Sequence, residues 1–69
     1  GPLIKIIEVK TGRIIAPSFL NVRKGPGTNY SKTSQLQRGT LVKIYAVEGR
    51  WFRIGKEEWV FGGYVEDVA

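Results

Sequence analysis

The 69-residue sequence contains neither cysteine nor histidine. The absence of cysteine excludes disulfides and thiolate metal sites, and the absence of histidine removes the commonest general base and the imidazole metal ligand. The hydroxyls of Ser18, Ser31 and Ser34 have only lysines as candidate bases. We therefore predict no catalytic residue, no metal site and no cofactor, which leaves binding as the class of function.

Carboxylates are also few, with six Asp and Glu residues in the chain. The pairs Glu57-Glu58 and Glu66-Asp67 are sequence neighbours. Neighbours on a strand point to opposite faces, so neither pair can flank one substrate bond as paired catalytic carboxylates do. We interpret these acids as surface charge.

A long apolar run is missing as well. Residues 3–9 are apolar except for Lys5 and Glu8, and the stretch is too short and too charged for a membrane span or a signal-peptide core. We predict no membrane partner. Gly1-Pro2 resembles the scar of a cleaved expression tag, which indicates an excised domain whose targeting signal lies elsewhere.

Positive charge is unevenly distributed along the chain. All eleven Lys and Arg residues lie in residues 1–56, whereas four of the six acids lie in residues 57–69, and the net charge is +5. A basic face attracts anionic polymers such as nucleic acid, anionic lipid, teichoic acid or peptidoglycan carboxylates. Charge alone does not choose among these partners, and an ordinary solvated surface remains an alternative.

Short apolar runs separated by glycine turns predict an all-β fold, a small barrel of about five to seven strands with no significant helix. One domain is expected at this length. We predict strands at residues 3–9, 13–16, 19–24, 40–47, 51–54, 57–61 and 65–68. We predict a turn at residues 10–12, one long loop at 25–35, and a bend or single 3₁₀ turn at 62–64.

Alternation along these strands divides the apolar residues between core and surface. The predicted core consists of Leu20, Val22, Val42, Ile44, Phe52, Ile54, Val60 and Val65. That assignment leaves Tyr45, Trp51, Arg53, Trp59 and, as a further candidate, Phe61 on outer faces. So many outward aromatic residues in so small a domain require an explanation.

The segment from Leu20 to Tyr30, LNVRKGPGTNY, combines a strand with a shaped loop. Pro26 restricts its own φ and biases Gly25 toward an extended conformation, while Gly27 can take the positive φ that tight turns often need. Such a loop is either a structural corner or one wall of a binding site. We interpret Asn21, Arg23, Gly25, Pro26 and Gly27 as structural, and Tyr64 as a packing residue.

Four ordered blocks of the sequence resemble those of bacterial SH3 (SH3b) domains. The blocks are LNVRKGPGTNY, then LQRGT followed by Val42 and Ile44, then GRWFRI at residues 49–54, and finally Glu58-Trp59-Val60 with Gly63-Tyr64-Val65. Glu58 stands where that family usually has glycine. The resemblance covers about residues 12–68 and implies an SH3-like barrel appended to a peptidoglycan hydrolase, either an autolysin or a phage endolysin. It divides the chain into residues 1–2 as tag scar, 3–11 as an extra strand or linker, and 12–69 as the SH3-like domain.

The resemblance also implies a partner and a location. The partner would be peptidoglycan or an associated wall polymer at the extracellular bacterial cell wall, with a catalytic domain in the same parent chain. The predicted ligand-binding residues are Tyr30, Lys32, Tyr45, Trp51, Arg53 and Trp59. For Trp51 and Trp59, the alternative is that they simply cover the barrel.

Other functions remain open from the sequence. The domain could be a spacer whose aromatic residues pack against a neighbouring domain. A basic barrel with outward aromatics could also bind single-stranded nucleic acid, although the aromatic strand motif of RNA-recognition domains is missing. Recognition of proline-rich peptides, as in eukaryotic SH3 domains, is disfavoured because the loop at residues 25–35 has no acidic residue.

Overall fold

The computed structural model describes residues 5–68, with side chains from residue 8 onward. The predicted tag scar and the first residues of the predicted 3–9 strand lie outside this range. Seven strands are formed: β1 Lys5–Ile14, β2 Phe19–Arg23, β3 Lys32–Gln37, β4 Leu41–Glu48, β5 Trp51–Gly55, β6 Glu58–Phe61 and β7 Val65–Val68. A single 3₁₀ turn, Gly62–Tyr64, precedes β7, as the sequence predicts.

The seven strands form one antiparallel sheet in the order β3-β2-β6-β5-β4-β1-β7. Leu20 and Val22 of β2 pack in the same apolar cluster as Val65 of β7, although these strands lie near opposite ends of that order. The sheet must therefore roll up around one core, as in a small barrel. The predicted all-β class is confirmed. Within the described residues, no helix is long and apolar enough to cross a membrane.

Most of the predicted core is buried. Leu20, Val22, Ile44, Val60 and Val65 belong to the buried cluster, and Val42, Phe52 and Ile54 are partly buried against it. The alternation of β2, with Leu20 and Val22 inward, produces this packing. The predicted core omits two buried members of this cluster, Ile14 and Ala16, because the continuous apolar run Ile14-Ile15-Ala16 has no alternation to show which side chains point inward.

The predicted turn at residues 10–12 is wrong, because these residues lie inside β1. Lys10, Thr11 and Gly12 pair with β4, and Thr11 and Gly12 also pair with β7. Gly12 is buried, and a Cβ atom there would lie 2.6 Å from Val65 Cγ1 and 3.0 Å from Ile44 Cδ1. Glycine is needed here for close packing of side chains and does not mark a reversal of the chain. A register irregularity between Ile6 and Lys10 accompanies this continuous strand.

The prediction of one long loop at residues 25–35 is also wrong, because β3 begins at Lys32. This strand pairs with β2 from Phe19↔Gln37 to Arg23↔Lys32. Every residue of β3 except Leu36 is exposed, so the strand has no apolar alternation to reveal it. Its place at one end of the strand order allows this polar composition.

The β5–β6 hairpin places the candidate site residues on one face. Its register opposes Trp51 to Phe61 and Arg53 to Trp59, while Phe52 opposes the buried Val60. Directly opposed residues of antiparallel strands share a face, and so do residues two apart. Trp51, Arg53, Trp59 and Phe61 therefore lie on the face opposite to the core residues Phe52 and Val60.

Candidate functional site

Arg23, at the end of β2, holds the loop that follows. Its Nη1 atom donates hydrogen bonds to the carbonyl oxygens of Thr28 at 3.1 Å and Tyr30 at 3.0 Å. The Lys24 N–H donates to the Ser31 carbonyl at 3.0 Å and closes the base of the loop. Two carbonyls tied to one guanidinium restrict the loop backbone.

Tyr30 packs across the glycines of the same loop. A Cβ atom at Gly25 would overlap the Tyr30 ring, and one at Gly27 would lie 2.5 Å from Asn29 Oδ1. Gly27 does not use the positive φ that glycine permits, since the described glycines with positive φ are Gly39 and Gly49. Close approach of the Tyr30 ring explains Gly25, whereas the contact at Gly27 is with the end of the exposed Asn29 side chain. Tyr30 is still 44% exposed.

A groove of about 580 Å³ lies beside this loop, and we call it the basic groove. It brings together three of the six predicted ligand-binding residues, Tyr45, Arg53 and Trp59. The sequence did not predict the other members, which come from the base of the loop and from the β5–β6 turn. The basic groove is lined by Lys24, Tyr45, Arg53, Lys56, Glu57 and Trp59.

Charge in the basic groove is predominantly positive, with three cations against Glu57. The ion pairs among the described residues are Lys10–Asp67 and Arg13–Glu66, so none neutralises a cation of the groove. Arg53 Nε is inaccessible to solvent and has no hydrogen-bond partner within residues 5–68. A buried donor without a partner is uncommon in folded proteins.

The predicted exposure of the Trp59 side chain is wrong. Trp59 lies on the outer face of the hairpin, yet it is only 5% exposed. It is paired with Arg53 on one side and with Arg23 on the other. Opposed side chains start about 5 Å apart, so both arginine side chains begin next to the Trp59 side chain. Trp59 forms part of the groove floor, and Tyr45, which is 36% exposed, lies at its surface.

Trp51 lies in a second groove of about 450 Å³, which shares no lining residue with the first. The ring centroids of Trp51 and Phe61 are 5.6 Å apart in an edge-to-face arrangement, and those of Phe61 and Tyr64 are 5.9 Å apart. We call this surface the aromatic groove; its principal lining residues are Pro17, Phe19, Arg23, Trp51, Phe61 and Tyr64.

The six predicted ligand-binding residues thus do not form one surface. Tyr45, Arg53 and Trp59 share the basic groove, whereas Trp51 belongs to the aromatic groove. Tyr30 and the exposed Lys32 line neither groove. Arg23, predicted to be structural, donates hydrogen bonds to two loop carbonyls, and the ring centroid of Tyr64, predicted to be a packing residue, lies 5.9 Å from that of Phe61.

Sequence reasoning missed Lys24, Lys56 and Phe19 as groove residues. Lys24 follows β2 and Lys56 lies in the turn between β5 and β6, so only the pairing of β2 with β6 brings them to one groove. Of these three residues, only Lys56 could have been found from the sequence, because it lies in a turn next to a strand with predicted site residues, and such turns are exposed. Within residues 5–68, no cluster of three or more Asp and Glu side chains could hold a metal ion.

Comparison with protein families identifies the fold family. Residues 18–66, which include β2 to β6, the basic groove and all of the aromatic groove except Ala16 and Pro17, match the family model described as "Bacterial SH3 domain". The chain belongs to the bacterial SH3 domain family. The resemblance inferred from the four sequence blocks is therefore confirmed, and the rolled antiparallel sheet is that of a bacterial SH3 domain.

Three curated bacterial proteins contain a similar segment. Bacteriocin BCN5 of Clostridium perfringens is 42% identical over 59 residues, which cover 80% of this chain and 7% of that protein. A Listeria welshimeri protein named as endopeptidase p60 is 34% identical over all of this chain and 15% of its own length. A Bacillus subtilis protein named as N-acetylmuramoyl-L-alanine amidase YrvJ is 34% identical over 81% of this chain and 12% of its own length.

This bacterial SH3 chain therefore spans at most about a seventh of the length of the relatives it matches. Two of those relatives are named as an endopeptidase and as an N-acetylmuramoyl-L-alanine amidase, and most of the length of each lies outside the alignment with this domain. The similarity therefore concerns the SH3 domain, which is a small part of these longer proteins.

Proposed function

We propose that this bacterial SH3 domain is a non-catalytic module that binds peptidoglycan and tethers a wall-degrading catalytic domain of the same protein to its substrate. Tethering raises the local concentration of the polymer at the catalytic domain without any chemistry by the module itself. The domain would act outside the cell, at the bacterial wall.

The observation that carries this proposal is the basic groove. It is lined by the phenol of Tyr45, which is 36% exposed and provides flat apolar area at low entropic cost, and by the buried indole of Trp59. Lys24 and Lys56 are exposed at its rim and take part in no ion pair within the described residues. An acidic group of the wall polymer, such as a peptide carboxylate, would be the complementary ligand.

Binding to purified sacculi tests this function, with two double variants of equal net charge. Lys24→Gln/Lys56→Gln removes two cations of the basic groove, whereas Lys32→Gln/Lys43→Gln removes two exposed cations that line neither groove. We expect the first variant to lose about tenfold or more in affinity and the second to bind within about twofold of the wild type. Sacculi with and without teichoic acid should both retain the wild-type domain.

Three results would contradict the proposal in different ways. If the wild type does not bind sacculi at low salt, the domain is a spacer rather than a binding module. If binding requires teichoic acid, the partner is that polymer and not peptidoglycan. Equal losses in the two double variants would show attraction by net charge without a site. Unchanged amide spectra of both variants provide the control for folding.

A further inference from the structure

The proposed binding of acidic groups in the basic groove gives no role to the exposed rings of the aromatic groove. Trp51, Phe61 and Tyr64 form a continuous row of three rings, joined by the centroid distances of 5.6 and 5.9 Å. Phe19 and Tyr64 remain about half exposed, and Pro17 is exposed beside them. Exposed and contiguous apolar area of this kind is a common mark of a binding surface.

The aromatic groove offers little net charge to a ligand. None of its lining residues is acidic, so nothing there would pair with a cationic ligand. Its one charged side chain is Arg23, whose Nη1 atom is already bonded to the Thr28 and Tyr30 carbonyls. An electrically neutral occupant therefore fits the groove better than an ion does.

Neutral hydrogen-bonding groups surround the rings. Thr28 is exposed and carries a hydroxyl, and Tyr64 carries a phenol. Asn21 lines the same groove, and its Oδ1 atom accepts a hydrogen bond from Gln35 Nε2 at 3.3 Å. That bond orients the Asn21 amide and leaves its NH₂ group as a donor. Flat apolar faces edged by neutral donors and acceptors match a sugar ring, which has an apolar C–H face and polar substituents at its rim.

The two grooves are neighbours along one hairpin. Trp51 and Phe61 form one opposed pair of the β5–β6 hairpin, and Arg53 and Trp59 form the next pair on the same face. Two residues of a strand span about 7 Å. The loop after β2 contributes Lys24 to the basic groove and Thr28 to the aromatic groove. A ligand with a neutral part beside an acidic part could contact both.

We infer that the aromatic groove is a second subsite of this domain, which binds an uncharged N-acetylated sugar of the wall glycan through Trp51, Phe61 and Tyr64. The choice of this sugar rests on the proposed function, because peptidoglycan joins a neutral sugar chain to an acidic peptide. The basic groove would then hold the peptide while the aromatic groove holds the sugar.

The chain provides one indole N–H reporter in each groove, since Trp51 and Trp59 are its two tryptophans. Their two resonances in an amide–nitrogen NMR spectrum are assigned with a Trp51→Phe variant. The probe is the soluble tetramer of N-acetylglucosamine. We expect saturable shifts of the Trp51 indole and the Tyr64 region, and smaller shifts of the Trp59 indole.

Two variants test whether the chemical-shift changes arise from binding in the aromatic groove. Tyr64→Ala removes a ring that is about half exposed, so the fold should persist, and we expect about tenfold weaker binding of the tetramer. Lys24→Gln/Lys56→Gln should bind the tetramer like the wild type. Both variants must retain the dispersed spectrum of the folded domain.

The outcomes separate this inference from the proposed function. No saturable shift up to the solubility limit of the tetramer, or shifts centred on Trp59, would overturn the sugar subsite. Binding of a proline-rich peptide at Trp51 in place of the sugar would also overturn it. If the tetramer fails while sacculi bind through Lys24 and Lys56, the proposed function stands without this subsite. If the tetramer binds at Trp51 while sacculi do not bind, the subsite stands and the proposed function fails.

Discussion

Single residues decide how closely the strands of this domain pack. Gly12 lies in the middle of β1, where β4 pairs on one side and β7 on the other. The space for a side chain at this position is taken by Val65 and Ile44, both buried in the core. Any larger residue would have to displace one of them, and cores tolerate added volume poorly.

Gly12→Ala should therefore destabilise the domain by about 1–3 kcal/mol, as overpacking of a core does. Chemical denaturation measures the free energy of unfolding. The matched test adds Val65→Ala, which removes the Cγ1 atom that the new Cβ atom would meet 2.6 Å away. We expect Gly12→Ala to cost less in the Val65→Ala background than in the wild type, because residues in contact are not additive. Equal costs in both backgrounds would contradict the steric explanation.

Other predicted residue roles depended on more than one neighbour. Leu20 and Val22 could be assigned to the core from alternation alone, since the period of a strand is a local property. Trp59 could not be assigned in the same way. Its outer-face position also follows from alternation, but it is buried in a sheet where β6 pairs with both β2 and β5, which places Arg23 and Arg53 on either side of it. Strand pairing is not visible in a local pattern.

At the scale of elements, the loop after β2 connects the two grooves. Arg23 anchors it through Nη1, Tyr30 packs over Gly25, and the Lys24 and Ser31 backbones close its base. Lys24 at the base of this loop and Thr28 in its middle line different grooves. Its rigidity should therefore affect both binding surfaces at once.

Arg23→Met keeps most of the length of the side chain but removes its donors. We expect a loss of about 1–2 kcal/mol in the free energy of unfolding, since two carbonyls lose a charged donor. Amide hydrogen exchange should become faster in the loop, and binding to sacculi should weaken. Arg13→Met is the control, because its exposed 3.1 Å pair with Glu66 should contribute at most about 1 kcal/mol. If Arg23→Met leaves loop exchange unchanged, Arg23 does not anchor the loop.

The strand β3 shows why a strand at the end of the strand order is difficult to predict from the sequence. Its sequence KTSQLQ has one partly buried residue, Leu36, which packs against the core. A strand exposed on most of its surface needs no apolar period, so the pattern resembles a loop. Pairing with β2 makes these residues a strand, and that pairing is a tertiary property.

At the scale of the whole molecule, charge separates into distinct regions. Glu66 and Asp67 of β7 pair with Arg13 and Lys10 of β1, both at exposed positions. The cations of the basic groove have no such partners within the described residues. The basic groove therefore holds three of the eleven cations, Lys24, Arg53 and Lys56, against Glu57, and an anionic polymer would meet them there.

Binding to sacculi should accordingly depend on salt. Screening shortens the range of exposed charges from about 10 Å at 0.1 M ionic strength to about 3 Å at 1 M. We expect wild-type affinity to fall as sodium chloride rises, and Lys24→Gln/Lys56→Gln to show a shallower dependence than Lys32→Gln/Lys43→Gln. A sedimentation assay across the salt series measures both slopes. Identical slopes for the two double variants would place the charge contribution outside the groove.

The sequence by itself determined the fold class, the family and most of the core of this protein. Strand alternation, turn glycines and the four ordered blocks are local patterns, and local patterns can be recognised in a single sequence. Only the tertiary structure placed four of the six predicted site residues in two separate grooves. Tyr45, Arg53 and Trp59 meet Lys24 and Lys56 in one groove, whereas Trp51 joins Phe61 and Tyr64 in the other. The physical reason is strand register, because pairing across the sheet determines which side chains become neighbours. That pairing depends on residues that are far apart in the sequence.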